Sequence, residues 1–244
     1  PQEYKEIEEL LLEEFKEDIN NIGAKLEVRY EMNSSSVNAY AMREGSVWII
    51  RFQGGLITHP KFNADVYVTV LCHELGHHLG GAPYKTPKHP KRYWTSAEGQ
   101  ADYFASNVCL KRFLANKTNE NIQMQFSDVI QTECRRNYSR SQDYFLCLQN
   151  AKIAVSTGDF LYHLGQTRRG KRYRRPNIAT PEKKQASVIN LEHAKPQCRL
   201  DTLFQGALCN IDNFYPFNIY MNCPDDIASP LAGARPGCWY VSKN

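Results

Sequence analysis

The sequence predicts an α+β fold, mostly helical, with a small antiparallel sheet beside a central helix and a Cys-rich carboxy-terminal segment. Three observations predict it. Apolar residues recur at helical spacing over residues 3–20, 63–79, 97–114 and 141–164. Three short runs between residues 26 and 52 have strand character and lie together between the first two helices. Four of the eight cysteines, at 198, 209, 223 and 238, crowd into a final stretch of weak periodicity. With 244 residues, 42% of them hydrophobic, and no internal repeat or linker, residues 1–244 read as one domain. It divides into 1–80, 81–197 and 198–244.

In chain order, residues 3–20 set Tyr4, Ile7, Leu10, Leu11, Phe15 and Ile19 among many Glu and Lys, an amphipathic helix with one apolar stripe. Residues 26–31 alternate as a half-buried strand, 33–36 form a turn cluster, and 37–42 give a second strand. Glu44-Gly45 turns the chain into 46–52, an apolar run that reads as a more buried strand. Gly54-Gly55 then lead to a buried helix, which Gly80-Gly81 and Pro83 stop. Residues 83–94 form a Pro- and Lys-rich loop, and 97–114 and 141–164 are helices, the latter through Tyr144, Leu148, Ala151 and Val155. From Cys198 to Cys238 the chain is rich in Asn, Asp, Pro and Gly, lacks regular periodicity and would profit from covalent staples.

Residues 73–77 read His-Glu-Leu-Gly-His. On a helix, positions i and i+4 share a face, so His73 and His77 can present imidazoles to one metal ion with Glu74 beside them. Buried imidazoles and a carboxylate are costly to desolvate unless a cation or hydrogen bonds pair them. Catalytic zinc takes three protein ligands and keeps a water, which calls for one more His, Asp or Glu. Glu98 is the best candidate, and Asp102, one helical turn later, is placed to hold the other ring N–H of His73. Without the histidines upstream, both acids would read as helix-start carboxylates favoured by the dipole. The set predicts a zinc metalloendopeptidase. One Zn2+ on His73, His77 and Glu98 brings the pKa of water toward about 7, and Glu74, as general base, takes the proton and returns it to the leaving amine.

Composition narrows the partners. A net charge of +4 is too small to argue for nucleic acid, and no stretch approaches the roughly 18 apolar residues of a membrane span. The cysteines at 72, 109, 134, 147, 198, 209, 223 and 238 include no Cys-x-x-Cys pair, which favours disulfides. A secreted or periplasmic protein with its signal peptide removed is therefore expected. Arg168, Arg169, Lys171, Arg172, Arg174 and Arg175 lie in an exposed connection over 165–185. A solvated loop accounts for them best, with contact to an acidic surface or the cell envelope through Arg168–Arg175 as the functional option.

Asn38-Ala39-Tyr40-Ala41, then Gly45, the apolar run to Gly55-Leu56, the His-Glu-x-x-His helix and Glu98-x-x-x-Asp102 resemble the HtpX and CAAX prenyl endopeptidase family of zinc metallopeptidases. His193-Ala194-Lys195-Pro196-Gln197-Cys198-Arg199-Leu200 resembles its downstream His-Pro-x-x-x-x-Arg element, with Ala194 where the family has Pro. The resemblance covers 38–80, 96–105 and 193–200 in the family's order. The gap from His77 to Glu98 is shorter than usual there and closer to thermolysin-like enzymes, which share the ligand set. The resemblance implies a zincin-like metallopeptidase domain, a sheet-edge strand at Asn38, Ala39 and Tyr40 that takes a protein or peptide substrate as an added strand, and His193 and Arg199 near the reaction. Either could donate to the oxyanion, with Tyr103 a weaker candidate. A different class stays open: a zinc-bearing, self-occluded relative in which His193 closes the site as a fourth ligand. A polyanion-binding module on the Arg-rich loop ranks below both. His59, His78, His89 and His163 read as structural or exposed.

Overall fold

Val47–Gln53 is the most apolar strand, with Trp48, Ile49, Ile50 and Phe52 all buried, and it takes the centre of a three-stranded sheet, between Lys25–Glu31 and Ala39–Glu44. In the computed structural model, which describes residues 2–85, 94–117, 126–167, 173–210, 222–223 and 232–242, β1 is Lys25–Glu31, β2 is Ala39–Glu44 and β3 is Val47–Gln53. β2 and β3 form an antiparallel hairpin whose turn uses Gly45 at φ 62°. β1, however, runs parallel to β3, from Lys25 opposite Val47 to Glu31 opposite Gln53. The expected antiparallel sheet is thus mixed. A strand carrying Lys25, Glu27, Arg29 and Glu31 is tolerated at an edge and not between two neighbours, so the chain crosses the end of β3 before starting β2. That crossover passes against Gly54 and Gly55, where a Cβ would meet Met32 O at 2.3 Å and Ser35 O at 2.2 Å.

Helix α1 (Gln2–Asn21) buries Tyr4, Ile7, Leu11, Phe15 and Ile19, and Tyr4 stacks on Tyr67 at 4.4 Å between ring centroids. After the short α2 (Gly54–Ile57), Asn63 caps α3 (Ala64–Leu79) by accepting from Val66 N. The helix ends at Gly80 as its sequence predicts. α3 packs against the sheet and α1 on one side and on the later helices on the other. The single helix expected over 97–114 is α4 (Glu98–Phe104), a π-helical turn (Ala105–Leu110) and α5 (Lys111–Asn116) in one continuous run. The π turn has a partner in α7 (Ser141–Thr167): fully buried Asn150 donates to Ser106 O and accepts from Ser106 Oγ, both at 2.8 Å. α6 (Asp128–Asn137) packs on α7.

The segment after Cys198 is more regular than expected. Helix α8 (Pro196–Leu208) starts with proline in its first turn and buries Leu200, Leu203, Phe204, Ala207 and Leu208. Most of the Asn, Asp, Pro and Gly that weaken periodicity lie beyond it. All eight cysteines are paired, as Cys72–Cys109, Cys134–Cys147, Cys198–Cys238 and Cys209–Cys223. Among the described residues no helix is long and apolar enough to cross a membrane. Arg168, Arg169, Lys171 and Arg172 of the basic run, and His89, fall outside the described residues, while Arg175 pairs with Asp159 at 2.6 Å.

Candidate metal centre

Helical spacing puts His73 and His77 on the side of α3 that faces α4, and Gly76 between them lets the helices touch. A Cβ at Gly76 would lie 2.8 Å from Ala101 O. Across this contact Glu98 Oε2 stands 3.1 Å from His73 Nε2 and 3.6 Å from His77 Nε2, and all three side chains are buried. One ligand atom from each of His73, His77 and Glu98 falls within a 4.8 Å cluster that could hold a metal ion.

The other ring nitrogens are already engaged. His77 Nδ1 lies 2.9 Å from Ser96 O; a carbonyl only accepts, so this nitrogen carries the proton. His73 Nδ1 lies 2.7 Å from Asp102 Oδ1, and Arg199 holds that carboxylate from the far side with Nε and Nη2, each at 2.7 Å. With the Nδ1 protons so placed, the Nε2 lone pairs of both imidazoles face Glu98. Glu74 Oε2 is buried and accepts no hydrogen bond, and buried Glu98 Oε2 has only the ring nitrogens of His73 and His193 within hydrogen-bonding distance, at 3.1 and 3.0 Å. Two imidazole nitrogens and two buried carboxylate oxygens, one of them without a partner, fit a cation, and the mixed nitrogen and oxygen set suits a borderline divalent metal.

Electrostatics point the same way. From the protein groups alone, burial opposes charge on His73, but Asp102 and then Glu98 and Glu74 outweigh it and raise the pKa to about 10. Positive charge is therefore favoured there. Burial pulls His77 down to about 3, helped by repulsion from His73. Burial pushes Glu74 up to about 7, the neighbouring His73 opposing it. Glu98 and Asp102 stay below the ordinary carboxylate range although burial opposes this: His193 and His73 hold the first down, and Arg199 and His73 the second.

Compared with models of protein families, with curated proteins and with solved structures, the chain has no match. His193 is brought to the site, with Nε2 3.0 Å from Glu98 Oε2 and a side chain 59% exposed. β2 lies along an edge of the sheet. Gln53 N donates to Asn38 O, so the hairpin register leaves the alternate residues Ala39, Ala41 and Arg43 with main-chain groups on the open side. Tyr40 accepts from Arg51 on the other face. β2 reaches α3 through Arg43, whose Nε lies 3.2 Å from His78 Nδ1, and His78 stacks between Trp48 and Trp94. Tyr103 is fully buried and donates to Gly233 O, away from the ligands. Two contributors carry no motif. Lys85 Nζ contacts Glu98 Oε1, and the Ser96 carbonyl orients His77. Both arrive through the Tyr84–Ser96 bridge, a pairing across the loop with no periodicity to announce it.

Proposed function

We propose that this chain is a zinc-dependent metalloendopeptidase of the zincin-like type, similar to the HtpX and CAAX prenyl endopeptidase family and working in an oxidising compartment outside the cytoplasm. One observation carries it: a buried carboxylate, Glu74, stands with an unbonded oxygen 4.0 Å from His77 Nε2, beside the convergent His73, His77 and Glu98. A purely structural metal site has no need of that fourth group. Bound zinc supplies Lewis acidity, which acidifies water and polarises a carbonyl. Glu74 takes the proton from the attacking water and delivers it to the leaving amine, a task suited to a carboxylate poised near neutral pH. Asp102 and Arg199 keep the His73 ring in one tautomer, so Arg199 acts by positioning, and exposed His193 would turn from Glu98 to donate to the developing oxyanion. The open edge of β2 offers a peptide main-chain hydrogen bonds with little side-chain selectivity.

The test is cleavage of casein by protein of measured zinc content, beside Glu74→Gln. Activity in the parent, lost in the variant with zinc retained, is expected; equal cleavage by both sinks the assignment. A second reading is favoured by the 3.0 Å approach of His193 Nε2 to Glu98, which would let this imidazole close the site as a fourth ligand. It predicts zinc without cleavage in the parent, and cleavage gained in His193→Ala.

A further inference from the structure

The face of α4 turned away from α3 is covered by the carboxy-terminal segment, and the cover reaches Glu98. Trp239 is fully buried, its indole so close over Gly99 that a Cβ there would lie 2.2 Å from the ring. Trp239 O accepts from Asn190 N at 2.8 Å, Gly237 O accepts from Ala186 N at 2.8 Å, and Leu191 O accepts from Glu98 N at 3.3 Å. Residues 186–191, which lead into His193, are thereby held between the tail and Glu98. The neighbouring Cys238 is bonded to Cys198, next in sequence to Arg199. Glu98 is the first residue of the continuous helical run 98–116, its amino end has no side-chain cap, and the groups that cover its outer face lie in this segment.

We propose that Trp239, pinned by the Cys198–Cys238 bond, is a positioning residue for the metal centre, so that Glu98 is held ready only in the oxidised chain; this rests on the assignment of His73, His77 and Glu98 as metal ligands. Closing the bond joins two thiols and passes two electrons and two protons to a disulfide-bearing oxidant, and a dithiol reverses it by exchange. Cys72–Cys109 joins α3 to the π turn that continues α4, so opening the tail frees only the outer face of α4 at Glu98 and leaves both histidines in place.

The full-length chain is titrated with Co2+, read by its visible absorption, and with Zn2+ against a chromophoric chelator. Cys198→Ser/Cys238→Ser is expected to bind on the order of tenfold more weakly or worse, with an altered Co2+ spectrum. Cys134→Ser/Cys147→Ser, which opens the bond between α6 and α7, binds like the parent. Gly99→Ala, which leaves no room for the indole, and Trp239→Leu, which removes it, each weaken binding with every disulfide intact. Equal affinity and spectrum in the parent and Cys198→Ser/Cys238→Ser overturn the clamp and leave the metal centre standing. A parent that binds neither ion overturns the metal centre and the clamp with it. Loss of far-UV dichroism in the serine pair shows the bond serving the whole fold, which also overturns a local clamp.

Discussion

Helix α3 brings two imidazoles and Glu74 together within five residues, on sixteen residues of capped helix buried by the sheet, α1 and α7. Helix α4 brings Glu98 and Asp102 at the start of the run 98–116, uncapped by any side chain, and besides α3 the groups that hold this end lie far off in sequence: Leu191, Arg199 and Trp239. The first half of the site is set by local periodicity. The second is set by long-range packing, so the two should respond differently to damage.

The largest effects test whether both halves belong to one site. His77→Ala should weaken Zn2+ binding more than about 100-fold, beyond the 10–100-fold usual for residues that only orient a ligand. Glu98→Ala should leave weak binding by the two imidazoles. Wild-type affinity in Glu98→Ala, measured by chelator competition, would remove α4 from the site. Glu74→Gln should keep the metal and lower casein hydrolysis by about 10²–10⁴-fold, the range for losing a general base.

Asp102→Asn comes next. The amide can hold the ring but removes the charge that favours the Nδ1 proton, and it leaves Arg199 buried beside a neutral partner. A drop in Zn2+ affinity of about 10–100-fold is expected, with far-UV dichroism unchanged. Arg199→Lys, which replaces a two-pronged donor with a point charge, should fall short of this. An Asp102→Asn protein that binds zinc like the parent would show that the imidazole needs no carboxylate behind it.

The same division explains what the sequence makes legible. His73 and His77 follow from a five-residue spacing, and Glu98 and Asp102 share a helical turn, so local spacing alone picks out the residues that could hold a metal. The helices over 3–20 and 141–164 are legible for the same reason. Lys85 and the Ser96 carbonyl are not, because the Tyr84–Ser96 bridge that delivers them is a contact between loop residues. Nor is the parallel course of β1, since register and direction depend on which strand wins the sheet centre, and that is decided by comparing all three. α8 hides because its apolar stripe begins inside a stretch whose composition is dominated by its turn-rich end.

The smallest expected effect probes α8 away from the ligands. Asp201 accepts from Glu182 N at 2.7 Å and from Gln197 Nε2 at 2.8 Å, yet burial raises its pKa from 3.8 to about 6. Between those values the folded chain holds a proton that the unfolded chain has released. Stability from this group is therefore full below 3.8, falls as pH rises to about 6, and stays at its lower level above. Asp201→Asn removes the slope, keeps an acceptor for Glu182 N, and should raise stability at pH 7 by about 1 kcal/mol, less than the shift alone implies because the charge-assisted bonds are weakened. Thermal unfolding of parent and variant at pH 4.5 and pH 7 measures it. A gain confined to pH 7 places the cost in the buried charge. A loss at both would mean that the acceptor removed from Gln197 Nε2 outweighs the relief of the buried charge.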